Sequence, residues 1–575
     1  MSPARARRTI RLADTGRRAR VALLALGIVS SLFAGRLVQL QGVEAATYTR
    51  QATQTVTVPL PAQRGSITDR NGVPLASSVE AVDVTADQTL VVDAPATAHA
   101  LAPVLGVDAR TLADRLRGDR RFVYVDRGVT PQTWARVDRL GLPGIFHQRT
   151  SRRIYPDGAL AGNVLGFVGA DGAGLEGLEW AYDKPLAGRD GRAVYQTTGG
   201  RWLADPRSRQ PVAGEDLVLT IDRDIQWKAR QELARAVRET GASSGTVVVL
   251  DPRTGDTLAL ASVPSVDPRR PTATPPALRG DPAVNEVYEP GSTGKLITAT
   301  ALLSAGVVDP GTRFRVPNRL ERAGKSFKDF ENHATLKLTY AGTIARSSNI
   351  GTILAAERLG DFARLYPWYA RFGIGQGLGP DFPGANPGQV LPPDRWSVTT
   401  PYTMVFGQSY SVNAVEMASV VATIAGGGVR HPPRVVRASV DQAGREHPRP
   451  EPPARRVMSQ ATATTITHMM EAVTGPGGTA PVAAIPGYRV AGKTGTAQRY
   501  DAACGCYRGY TMSFIGFAPA DDPALVVAVT LQQPKRGVGG GATAGPVFRD
   551  VLSFALATLH VPPTGTRPAR LATTW

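Results

Sequence analysis

Cysteine is nearly missing from this chain: Cys504 and Cys506 are the only two in 575 residues. That excludes a disulfide-framed scaffold, and with no neighbouring Cys/His set it excludes a structural zinc site. A bridge closing over Gly505 alone would be tight, so both a strained bridge and two free thiols stay open, with no catalytic role for either. Internal repeats of 20–50 residues are also missing, which excludes solenoids and propellers. Lysine is scarce, with eight residues among 66 basic ones. None of the seven histidines sits beside residues that would make it a base or a ligand.

What is present is ordinary globular chemistry. Hydrophobic residues make up 42% and charged residues 20%, and the length suggests three or four domains. Net charge is +18, which raises nucleic-acid binding as a class. The distribution argues against it: Arg5, Arg7, Arg8, Arg11, Arg17, Arg18 and Arg20 crowd residues 1–20, and the remaining excess is spread thinly. The expectation is no nucleic-acid partner.

After those arginines, Val21–Gly35 carries no charge, and continuing to Leu40 gives a helix of about 30 Å, enough to cross a bilayer. Arg36 can snorkel. A cleaved signal peptide is the rival reading, but no A-x-A-like site follows directly. The arginines predict a basic cytoplasmic tail (1–20), a single anchor (21–41) and an extracytoplasmic remainder.

Residues 45–215 show strand-like alternation in TQTVTVPL and AVDVTADQTLVVD, broken by loop signals, and read as a pedestal without a catalytic constellation. From Asp216 the pattern changes. Asp216–Ile221 reads as a strand, with Asp222 as N-cap of a helix over 223–239. TVVVLDPRTGDTLALAS reads as a β-hairpin. Helices are expected over 292–304 and 414–425, and strands near 488–491, 510–517 and 525–531. Helices between two sets of strands predict an α+β domain over 216–560, an antiparallel sheet packed by helices. The tail 561–575 has no periodic pattern and is expected to fray.

Three short motifs carry chemistry. Ser292-Thr-Gly-Lys295 follows a Pro-Gly break and opens an apolar helix, so serine and lysine share one face at i,i+3. A hydroxyl needs an adjacent base to become a nucleophile, and a sheltered lysine can serve. Ser347-Ser348-Asn349 lies 55 positions on, and Lys493-Thr494-Gly495-Thr496 a further 146. Alone, the first reads equally as a cap and a solvated lysine, and the second as a cap or turn. The third suits a carboxylate-bearing peptide at a sheet edge. Gly487–Thr494 also fits a phosphate-loop string, but no helix start follows it. Gly241–Gly245 fits a nucleophile elbow, but precedes a strand instead of ending one.

In order and spacing, Ser292-x-x-Lys295, Ser347-x-Asn349 and Lys493-Thr494-Gly495 resemble the signature of penicillin-binding proteins and serine β-lactamases. Arg64–Gly72, Tyr155-Pro156, Gly166–Gly169 and Gly174–Glu179 look like the pedestal of the class B members. Tyr288–Gly291, Phe406-Gly407-Gln408 and Ser411-Val412 fit as well, and the stretch SVNAVEMASVVATIA looks most like the division-specific type. The resemblance implies a penicillin-binding transpeptidase domain that cross-links peptidoglycan stem peptides and is acylated by β-lactams. It implies Ser292 as nucleophile, Lys295 as its base, Ser347 as a proton relay and Asn349 as the group positioning Lys295. Lys493, Thr494, Gly495 and Thr496 would hold the terminal carboxylate, and the N–H groups of Ser292 and Thr496 would form the oxyanion hole. No cofactor and no metal are implied. A membrane glycosyltransferase and division proteins are the implied partners. An elongation-type transpeptidase and a silent division scaffold are the alternatives.

Overall fold

The charge-free run after the arginines is helical. In the computed structural model, which describes residues 15–43, 54–198, 201–501, 504–537 and 539–575, a helix spans Thr15–Val38 and continues in wider turns to Val43. It is long and apolar enough to cross a membrane, and none of its residues is buried. Arg36 Nη1 donates to Gln39 Oε1 at 2.9 Å. The basic tail expected over 1–20 is described only from Thr15, and Arg5, Arg7, Arg8 and Arg11 lie outside the described residues.

By its internal contacts the chain divides into two units, residues 1–62 with 189–212 and residues 63–188 with 213–575. The first contains the N-terminal helix and a three-stranded antiparallel sheet in which Gly191–Thr198 pairs with both Gln54–Leu60 and Arg201–Ala204. Within TQTVTVPL, the described residues Gln54–Leu60 are a strand, as its alternation suggests.

Among the described residues, the second unit has two hydrophobic cores. The smaller packs the helices Ala94–Leu105, Ala109–Leu116 and Pro131–Asp138 against the strand Pro74–Ala86 and its neighbours Val123–Val129 and Ile145–Ile154. The alternation in AVDVTADQTLVVD suggests a strand to Asp93, but the strand ends at Ala86. Asp87 Oδ1 takes both the N–H and the hydroxyl of Thr89, and that turn ends the ladder.

Residues of the Arg64–Gly72 and Gly174–Glu179 motifs meet in one ion-pair network. Glu179 is fully buried; its Oε2 lies 2.7 Å from Arg64 Nε and its Oε1 2.7 Å from Arg153 Nε. Tyr155 donates its hydroxyl to the same carboxylate at 3.2 Å, and Arg64 also reaches Asp183 at 2.7 Å. Two guanidinium groups on one buried carboxylate satisfy charge that would otherwise be costly to desolvate.

In the larger core, α1 (Arg223–Thr240) begins as predicted, with Asp222 Oδ1 accepting from the N–H groups of Asp224 and Ile225. The sheet comprises β1 (Ser244–Leu250), β2 (Thr257–Val263), β3 (Ala491–Asp501), β4 (Cys506–Ala518) and β5 (Leu525–Gln532). Its order is β2-β1-β5-β4-β3, antiparallel throughout, which leaves β3 at an edge. Further helices around the site include α2 (Lys295–Ser304), α3 (Tyr340–Ala345), α4 (Asn349–Ala356), α5 (Ala414–Ala425), α6 (Gln460–Thr474) and α7 (Gly539–Thr558). α1 and α7 pack beside the sheet and each other, while α5 packs on β1 and β5 and α6 on β3. This is the expected α+β arrangement.

Two expectations are corrected. The strand placed near 488–491 begins only at Ala491, because Pro486-Gly487 makes a turn with Gly487 at φ +85°. Lys493 therefore lies inside an edge strand and not beyond its end. The tail expected to fray is ordered at its far end, where Thr574 bridges Leu338 of the strand Leu336–Thr339.

Candidate active site

The serine turn is built by a chain break and a tight approach. Tyr288 and Val412 exchange both backbone hydrogen bonds at 2.9 Å, and the Gly291 N–H donates to the Gly407 carbonyl at 2.8 Å. Gly291 adopts φ +55°, and a Cβ there would lie 2.9 Å from the Ala497 Cβ on β3. Only glycine fits both conditions. Residues 291–294 form a 3₁₀ turn that runs into α2, so the helix expected over 292–304 is regular only from Lys295. Ser292 thus faces the edge strand, and Lys295 sits one turn on.

Lys295 is fully buried and its amine is surrounded by oxygen. Nζ lies 2.9 Å from Ser292 Oγ, 2.6 Å from the Ser347 carbonyl, 2.8 Å from Asn349 Oδ1 and 3.4 Å from Ser347 Oγ. Burial pushes its pKa down to about 7, against the pull of the Asp329 carboxylate. A neutral amine has two N–H groups and one lone pair. The carbonyl oxygens of Ser347 and Asn349 can only accept, so they take the two N–H groups and leave the lone pair for the Ser292 hydroxyl.

Lys493 is also fully buried, with Nζ 2.8 Å from Ser347 Oγ and 3.1 Å from the Thr494 carbonyl. Burial, and then the positive charge at Lys295, hold its pKa well below the usual lysine range. Ser347 Oγ therefore stands between two amines. Its backbone is in the left-handed region at φ +57°, a conformation that non-glycine residues hold only when their surroundings dictate it. Gly495 faces Thr293, with a Cβ there only 3.1 Å from Thr293 Cγ2 and 2.1 Å from Ser513 Oγ. Thr494 and Thr496 alternate with Lys493 along β3, yet the Thr494 hydroxyl still lies 3.4 Å from Lys493 Nζ. The Thr494 hydroxyl shares a 3.1 Å hydrogen bond with that of Thr479, and Thr496 Oγ1 accepts from the Gly540 N–H at 3.2 Å. Ser292, Lys295, Ser347, Asn349 and Lys493 are thus joined in one chain of contacts.

Asp329 is a member that no motif points to. Its Oδ1 accepts from the N–H groups of Asn349 (2.6 Å) and Ile350 (3.0 Å) at the start of α4. Its Oδ2 accepts from the Ser348 hydroxyl at 2.7 Å and lies 3.2 Å from His333 Nε2. It therefore holds the Ser347–Asn349 loop from behind while supplying the negative charge that Lys295 feels. In sequence it is one aspartate in a loop, and nothing in its spacing marks it.

The described residues that lead into β4 flank the serine turn. Cys504 and Cys506 are joined there in a disulfide, and Tyr507 donates its hydroxyl to Glu289 Oε1 at 3.1 Å, three residues before Ser292. Lys493 lies within a strand with no helix after it, which removes the phosphate-loop reading.

A family model described as "Penicillin binding protein transpeptidase domain" matches residues 245–553, and one described as "Penicillin-binding Protein dimerisation domain" matches residues 59–219. The chain belongs to the penicillin-binding protein transpeptidase family. Penicillin-binding protein PbpB of Mycolicibacterium smegmatis is 34% identical over 94% of this chain and 90% of its own length. Peptidoglycan D,D-transpeptidase FtsI of Escherichia coli is 34% identical over 87% of this chain and 84% of its own. Among solved structures, penicillin-binding protein 3 of Mycobacterium tuberculosis complexed with ampicillin matches with a TM-score of 0.73 at 32% identity, covering 90% of this chain and 100% of that one.

Proposed function

We propose that this family member is a septal peptidoglycan D,D-transpeptidase that works through an acyl-enzyme on Ser292. The observation that carries the reading is the buried Lys295 amine, 2.9 Å from Ser292 Oγ and with both its N–H groups engaged by carbonyl oxygens when neutral. Ser292 Oγ attacks the penultimate carbonyl of a stem peptide ending in D-alanyl-D-alanine, and its proton passes to Lys295. The N–H groups of Ser292 and Thr496 take the oxyanion; losing one such donor costs about 10²–10³ in rate. The C–N bond breaks, and Ser347 relays the proton to the departing D-alanine. An amine of a second stem peptide then displaces Ser292 and forms the cross-link.

Asp329 supplies a negative charge that Lys295 feels, but no carboxylate among the described residues offsets Lys493. The substrate carboxylate does so: docked beside Lys493, Thr494 and Thr496, it favours the charged form of Lys493 while Lys295 stays neutral. A β-lactam carries the same carboxylate and a reactive carbonyl, so it acylates the same serine. The similarity to FtsI and PbpB favours the division-specific role over elongation. The intact Ser-Lys-Ser-Lys set speaks against a silent scaffold.

The arginines before the apolar helix support a cytoplasmic N-terminus with the remainder outside. Partners at the membrane are then a glycosyltransferase that makes the glycan strands and other division proteins. The test is D-alanine release and cross-linking by the full-length chain in detergent, given a stem pentapeptide and an acceptor amine. Wild type is expected to release D-alanine and Ser292→Ala to release none; equal release by both refutes the reading.

A further inference from the structure

The residues 571–575 form an extended segment laid against the strand Leu336–Thr339, which leads directly into α3. Thr339 donates its N–H to the Thr573 carbonyl at 3.2 Å and its hydroxyl to the Ala572 carbonyl at 2.5 Å. The Trp575 N–H reaches the Lys337 carbonyl at 3.3 Å, and its indole Nε1 donates to the Leu338 carbonyl at 3.1 Å. Three cations surround the indole ring: Arg313 and Arg315 lie 5.2 and 5.3 Å from its centroid, and Lys337 5.6 Å. Each is within cation–π range.

This contact continues to Ser347. Thr339, held by the segment, is also the N-cap of α3, with its Oγ1 accepting from the Gly342 N–H at 3.0 Å. At Gly342 the segment touches the helix backbone so closely that a Cβ would lie 1.8 Å from the Thr573 carbonyl oxygen. α3 is six residues long, far too short to hold itself in water, so its placement depends on what packs against it. Its last turn sets the next loop: the Ser347 N–H donates to the Ile344 carbonyl at 3.1 Å and the Ser348 N–H to the Thr343 carbonyl at 3.0 Å. The strained backbone of Ser347 begins there.

We propose that residues 571–575 act as a strap that positions Ser347 between Lys295 and Lys493, acting through Thr339, Gly342 and the short helix α3. The inference rests on the reading of Ser347 as the proton relay in acyl transfer. α6 supports α3 from another side, so the strap sets its angle more than its existence. Loosening the strap lets Ser347 drift from the two amines, which slows the acylation step without weakening the grip of β3 on the substrate carboxylate. Displacements of about 1 Å at such a distance can cost up to ~10²-fold in rate.

The experiment uses the full-length chain in detergent and a fluorescent penicillin, with limiting acylation rate and half-saturating concentration measured separately, alongside thermal melting. Trp575→Ala removes the ring, Trp575→Phe restores an aromatic face, and Gly342→Ala pushes the strap off the helix from the opposite side. The limiting rate is expected to fall roughly 5–30-fold in Trp575→Ala and in Gly342→Ala. The half-saturating concentration should stay within about two-fold of wild type, and Trp575→Phe should recover most of the rate. If Trp575→Ala does not fold, Gly342→Ala decides. A folded variant whose limiting rate stays within about two-fold of wild type overturns the strap, as does a loss confined to affinity. If wild type itself is not labelled, the fault lies with the functional reading and not with the strap.

Discussion

Replacing Lys295 with arginine separates charge from basicity at one position. With its pKa near 7, about half of the Lys295 amines are neutral at pH 7. At the ordinary value of 10.5 only about one in three thousand would be. A guanidinium keeps the positive charge and, with a pKa above about 12, offers essentially no base at any working pH. If Lys295 takes the Ser292 proton, Lys295→Arg should lose the contribution of a positioned general base, about 10²–10⁴-fold in acylation rate. Stopped-flow labelling with a fluorescent penicillin measures this directly. In wild type the same assay, run from about pH 5.5 to 9, should show the rate falling as pH drops through about 7, because protonation of Lys295 fills its lone pair. An arginine variant within ten-fold of wild type, or a flat wild-type profile, refutes the reasoning. Between about pH 7 and 10 the unfolded chain holds a proton at Lys295 that the folded chain has released, so this group makes folding more favourable as pH rises through that window.

Two other carboxylates, one beside Lys295 and one in the Arg64–Arg153 network, give further outcomes. Asp329→Asn removes the carboxylate that favours protonated Lys295, so the acid limb should move to lower pH; the weakened hold on the Asn349 N–H should also cut the plateau rate about 3–10-fold. A limb that stays in place or moves up contradicts the assignment of that charge. Glu179→Gln leaves Arg64 and Arg153 without their buried counter-charge and should cost about 3–5 kcal/mol in denaturant unfolding, while a cost under about 1 kcal/mol would show the network to be dispensable.

Much of the site was legible because short-range geometry generates it. The i,i+3 spacing of Ser292 and Lys295 needs only one turn, and Pro290-Gly291 announces where that turn begins. Asp222 marked the start of α1, and the run Ala414–Ala425 is helical from end to end. The unreadable parts depend on contacts distant in sequence. Asp329 acquires its place by folding against α4, and the 571–575 segment is ordered by pairing with a strand more than two hundred residues earlier. The strand at Lys493 starts later than the apolar signal at 488–491 because pairing with β4 begins only at Ala491, after the Pro486-Gly487 turn. Strand pairing, and not local propensity, sets that boundary.

Covalent acylation of Ser292, with Lys295 as its base, is the step on which the proposed function depends. It is tested most directly by incubating the full-length chain with penicillin, digesting it and locating the added mass. One equivalent on the peptide containing Ser292, lost in Ser292→Ala and strongly slowed in Lys295→Arg, is the predicted result. Adduct on another residue, or undiminished labelling of Ser292→Ala, would contradict it.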